Sequence, residues 1–140
     1  MASIRKEFAV EAPAEKVWDA IRDVGAVHSR LARGMVRDTR LDGDSRVVTF
    51  ANGEVVRERI VGIDEHARRL AYAVVGWHTT HHNASFEVVR NGDSGSRVIW
   101  TTDLLPDDLA PLVDGLMEQG SAAIKQTLEA ASVEAPSPDY

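Results

Sequence analysis

Three imidazoles crowd the run GWHTTHHN at positions 76–83: His78, His81 and His82. Histidines at this density invite either a metal site or proton transfer near neutral pH. The spacing argues against a metal. On an extended strand four residues span about 13 Å, and adjacent side chains point to opposite faces. His78 and His82 therefore do not converge on one ion unless the strand bends sharply, and the chain has no Cys to complete a ligand set. No metal and no cofactor are expected. His78 is read as either a ligand-facing acid–base group or a plain exposed turn residue.

A second constellation is Arg46 with Glu58. If Val48 and Phe50 face a core, strand parity puts Arg46 on the same side, and Val56 and Ile60 do the same for Glu58. The turn dipeptide Asn52-Gly53 between them tolerates positive φ and sets up a hairpin. The two side chains then become inward-pointing neighbours. Such a pair adds little net stability, because desolvation offsets attraction, so it reads either as a structural ion pair or as a polar anchor for a ligand. Tyr72 shares parity with Leu70 and Val74, and Trp100 with Val98, Thr102 and Leu104. Both are placed to line an inward face, with a hydroxyl and an indole N–H as polar handles. Trp77 is expected at a rim and Trp18 in a core. His28 reads as a rim or surface residue and His66 as solvated. Glu58, Tyr72 and His78 are the candidate acid–base groups. The sequence shows no phosphate-binding glycine loop and no nucleophile elbow.

These residues need elements to hold them. Ser3–Val10 alternates as a half-buried strand. Pro13 opens a short helix carrying Val17, Trp18 and Ile21. Val24–Arg33 reads as a second short helix. Strands follow over Met35–Leu41, Ser45–Phe50, Glu54–Ile63, Arg68–Gly76, His78–Arg90 and Arg97–Leu105. Tight turns between them imply an antiparallel meander. After Pro106, Leu109, Leu112, Val113, Leu116, Met117, Ile124 and Leu128 recur at helical spacing, with Gly120 and Ala123 filling the stripe. One long helix is thus the element available to cover the sheet. Residues 1–131 are expected to form a single domain and 132–140 a disordered tail.

Composition sets the outer limits. The chain has 140 residues and a net charge of −6, which argues against a nucleic-acid surface. No apolar run is long enough for membrane insertion, and the N-terminus lacks a signal-peptide core, so a cytoplasmic location is expected. The oligomeric state is not set by the sequence, and a homodimer is one arrangement open to it.

The order and its residues resemble the START-like or Bet v 1-like superfamily, and within it the polyketide cyclase/dehydrase-like (SRPBCC) group. EAPAEKVWDAIRD looks like that group's first-helix signature, GDSRVVTFANGEVVRERIVGID its central hairpin, RRLAYAVV the next strand, and SRVIWTTDLLP the last. The resemblance covers about residues 3 to 130. It implies an α+β helix-grip fold: a curved antiparallel sheet wrapped around the C-terminal helix, with two short helices after the first strand. It also implies a cavity for an apolar molecule between sheet and helix, with His78 near its mouth. In the similar abscisic acid receptors a His at this place belongs to a loop closing over ligand. The neighbouring residues differ here, and hormone binding does not carry over. The expected cavity residues are Arg46, Val48, Phe50, Glu58, Tyr72, His78, Trp100, Leu116, Met117, Gly120 and Ile124. Three functions remain open: binding or carrying a small lipid- or polyketide-like molecule, a cyclase- or dehydratase-like enzyme, or a partner-binding regulator.

Overall fold

Turn chemistry cuts the middle of the chain into strands. Gly43 and Gly53 adopt φ of +62° and +93° at the tips of successive hairpins, a conformation that a Cβ disfavours. The Asn52 side chain accepts a hydrogen bond from the Glu54 amide at 2.9 Å, which tightens the second turn. The computed structural model describes residues 1–134. Within them the order is β1 (Ala2–Val10), α1 (Ala14–Arg22), a π-helical turn (Val27–Leu31), β2 (Val36–Asp42), β3 (Ser45–Phe50), β4 (Val55–Asp64), β5 (Arg69–Val75), β6 (His81–Asn91) and β7 (Gly95–Leu105). A short 3₁₀ turn (Asp107–Leu109) then leads into α2 (Ala110–Glu134). All strand pairs are antiparallel, in the spatial order β1-β7-β6-β5-β4-β3-β2. The long helix lies across the curved sheet, giving the α+β helix-grip arrangement. No described helix is long and apolar enough to cross a membrane.

Parity along the strands builds the inward face. Val48, Val56, Leu70, Tyr72, Ala84, Phe86, Val88, Val98, Thr102 and Leu104 are all buried. At one end this face packs with Val17, Trp18 and Ile21 of α1, Val27 and Leu31 of the π-turn, and Ile124 and Leu128 of α2. At the other end Ile4 and Leu104 pack with Val113 and Met117, near the start of α2. Trp100 packs against both clusters. Polar ties fasten α2 along β1: Lys6 donates to Glu118 at 2.7 Å and Lys125 to the Ala9 carbonyl at 2.6 Å.

Several boundaries differ from the sequence reading. Val24–Arg33 is not a second α-helix. The Ala32 amide bonds to the Val27 carbonyl at 2.8 Å, five residues back, so the segment closes as one wide turn. A nucleus this short is marginal as a free α-helix. The strand expected to start at His78 starts at His81. Gly76, at φ +73°, ends β5, and residues 76–80 form a loop whose Thr80 amide bonds to the Leu105 carbonyl at 2.9 Å. Met35 precedes β2, and Leu112 is exposed. The helix α2 includes Ser132 to Glu134. The rest of the expected tail, 135–140, lies outside the described residues.

Candidate functional site: a cavity between the sheet and α2

Because α2 is fastened along β1, the space between it and the sheet opens towards the β3–β4 turn. A cavity of about 610 Å³ lies there. Val56, Tyr72, Val74, Trp100 and Thr102 form its sheet wall, and Val113, Leu116, Met117, Ala122 and Ala123 its helix wall. The wall also includes Arg33, Met35, Phe50, Asn52 and Glu54 from the segments around β3, Gln119 and Gln126 from α2, and Trp77 with His82. Arg33, Asn52, Glu54, Gln119 and Gln126 are exposed, which places them at the mouth.

Tyr72 and Trp100 of the sheet wall belong to one aromatic row with Phe86. The rings of Tyr72 and Phe86 lie 6.1 Å apart and 24° from parallel, and those of Phe86 and Trp100 lie 4.8 Å apart at 21°. Trp100 donates its indole N–H to the Tyr72 hydroxyl at 3.1 Å. Gly120 makes room for that indole. A Cβ at position 120 would lie 2.9 Å from the Trp100 ring, closer than such atoms pack. Gly120 thus packs against a wall residue from the helix side and is not itself on the wall.

Arg46 and Glu58 are neighbours across the hairpin, as their register requires, with Nε donating to Oε1 at 2.7 Å. Both face inward, yet neither reaches the cavity. The guanidinium carbon sits 5.2 Å from the centre of the Tyr72 ring, and Tyr72 belongs to the wall. The second guanidinium nitrogen, Nη1, is buried with no hydrogen-bond partner. The pair therefore touches the site through Tyr72. Burial, with a contribution from the Glu58 charge, pushes the Tyr72 phenol well above its usual range, so the hydroxyl keeps its proton.

The histidines separate. His78 is exposed in the 76–80 loop, its ring edge-on to Trp77 at 4.7 Å and its Nε2 3.9 Å from Glu54. It is not part of the wall. His82 is, because it shares parity with Ala84, Phe86 and Val88 on β6. Burial, assisted by the neighbouring His81, pushes the His82 imidazole down to about 4, which keeps it neutral. Its Nδ1 and the Trp77 Nε1 are both buried without a partner. Among the described residues no group of three or more His, Asp or Glu side chains could hold a metal.

Of the residues singled out from the sequence, Phe50, Tyr72, Trp100, Leu116 and Met117 line the cavity. Val48 and Ile124 lie in the packed core instead. His82 and Thr102 also line the cavity, although the sequence offered His82 only as a metal candidate and Thr102 only as a parity partner of Trp100. Sequence reasoning passed over Gln119 and Gln126. These two lie off the apolar stripe of α2, where a helix flank meets an open mouth and not a packed core.

This geometry has relatives. A search of curated proteins gives no match. Among solved structures, a Thermobifida fusca protein solved by NMR in solution is 28% identical, with TM-score 0.76 and full coverage of both chains. A START superfamily protein from Mycobacterium smegmatis is 15% identical with TM-score 0.75, over 96% of this chain and 99% of that one. Norcoclaurine synthase from Thalictrum flavum, solved with dopamine and hydroxybenzaldehyde, is 21% identical with TM-score 0.75, over 97% of this chain and 88% of that one. The family described as polyketide cyclase/dehydrase and lipid transport matches residues 1–130. The chain belongs to that family.

Proposed function

We propose that the protein binds a small, mainly apolar molecule of lipid or polyketide-like character in the cavity between the sheet and α2. The cavity itself carries this reading. About 610 Å³ stands open between sheet and helix in a 140-residue chain, reachable from a mouth of exposed polar residues and walled mainly by apolar side chains. The volume falls within the range of small-molecule sites, which are mostly apolar with a few placed polar groups. The family description includes lipid transport as well as cyclase and dehydrase chemistry. The norcoclaurine synthase structure holds small aromatic molecules on a fold of this kind.

Binding is favoured over catalysis because the two buried titratable groups of the wall, His82 and Tyr72, are both held away from neutrality. A proton-transfer group works best with a pKa close to the operating pH. His82 is pushed down to about 4, and the Tyr72 phenol is pushed up. Glu58 is committed to Arg46 behind the wall, and His78 stands outside it. Native mass spectrometry tests the reading. We expect one low-mass apolar adduct per chain, either as purified or after exposure to an apolar cell extract, and its loss on acid denaturation. A bare chain under both conditions contradicts the proposal.

A further inference from the structure

We propose that the cavity selects uncharged molecules bearing a hydrogen-bond acceptor, aryl ketones being the representative class, and that the Tyr72 hydroxyl reads that acceptor. This rests on the cavity being a ligand site and adds the chemistry of the ligand to it.

A phenol has one proton to give and lone pairs to receive. Trp100 Nε1 lies 3.1 Å from the Tyr72 oxygen, and an indole nitrogen can only donate. The Tyr72 oxygen is therefore the acceptor in that bond, and its own proton is not used there. No other hydrogen bond of this hydroxyl is found among the described residues. Tyr72 is only 5% exposed, yet its side chain forms part of the cavity wall. A buried donor without an acceptor is costly, and an acceptor brought by a ligand relieves that cost. Receiving the indole proton also polarises the hydroxyl and strengthens its own donation.

The charge distribution decides what kind of acceptor fits. Arg33 and Glu54 carry the formal charges of the wall, and both are exposed at the mouth. The nearest deep cation, Arg46, is already held by Glu58 at 2.7 Å and meets the face of the Tyr72 ring. A carboxylate brought to Tyr72 would lose its hydration without gaining a free counter-charge, which is expensive in an apolar site. A ketone oxygen accepts without a charge and brings no proton of its own to satisfy.

The test compares three rigid probes of similar shape on the full chain: fluorene, 9-fluorenone and fluorene-9-carboxylate. Affinities are normalised by each probe's partition between water and octanol. We expect fluorenone to bind about fivefold more tightly than fluorene, the scale of one net neutral hydrogen bond. Its carbonyl stretch should move to lower frequency on binding to the wild type. Both the preference and the frequency shift should vanish in Tyr72→Phe, whose fold is checked by circular dichroism. Equal normalised affinities, an unshifted carbonyl, a preference that survives Tyr72→Phe, or tightest binding of the carboxylate each overturn the inference and leave the binding site standing. Binding of none of the three overturns the cavity reading and this inference with it.

Discussion

Arg46 places a full charge where only 3% of its side chain meets solvent, and its carboxylate partner Glu58 is itself 12% exposed. Desolvation makes the net worth of such a pair small, while removing one member strands the other. Glu58→Ala should therefore destabilise the protein by about 3 kcal/mol. The double change Arg46→Met with Glu58→Leu should lie much closer to wild type. Urea denaturation of both variants checks this, and a double variant as weak as the single one would contradict it. His82 supports a pH prediction. Its ordinary value is near 6.5 and its folded value about 4. The unfolded chain thus binds the proton first as pH falls, and stability drops between pH 6.5 and 4. His82→Gln should flatten that part of the stability profile, read as urea midpoints at pH 7.5 and 5. An unchanged profile would show that the imidazole is already solvated in the folded state.

Helix α2 contains two glycines with opposite roles. Gly115 has nothing within 4 Å of a would-be Cβ, so Gly115→Ala should stabilise the helix by up to about 1 kcal/mol. At Gly120 a Cβ would press on the Trp100 ring. Gly120→Ala should cost about 1–3 kcal/mol through overpacking, despite the same helical gain. Thermal denaturation should therefore move in opposite directions for the two variants; a shared direction contradicts the packing account. The apolar stripe already sets Gly120, and not Gly115, on the inward face; the ring from β7 that Gly120 meets there leaves no local pattern. The elements themselves were largely legible. Alternation placed the strands, Asn52-Gly53 and Asp42-Gly43 placed hairpins, and the apolar stripe placed α2. Errors fell where backbone geometry departs from a simple period. The π-turn replaces a helix, and the loop at 76–80 removes His78 from the strand parity applied to it.

At the scale of the whole molecule, the sequence told which residues face inward but not how far the two inner surfaces stand apart. Val48, Ile124 and Arg46 face inward and pack, whereas Tyr72, Trp100 and Met117 face inward and meet open space. That difference comes from where α2 is fastened. Lys6 and Lys125 hold it along β1, so the gap widens towards the β3–β4 turn, and long-range ties of this kind leave no local pattern in the chain. Filling this gap tests most directly whether it is the binding volume. Ala123 lies on α2 and contributes to the wall, so Ala123→Trp projects an indole into the space. The measurement is a fluorescence titration with the neutral probe N-phenyl-1-naphthylamine. Wild type should show saturable binding of one probe per chain. Ala123→Trp, with unchanged circular dichroism, should bind at least about tenfold more weakly, the equivalent of 1.4 kcal/mol. Equal affinity in both proteins would place the probe elsewhere and contradict the account.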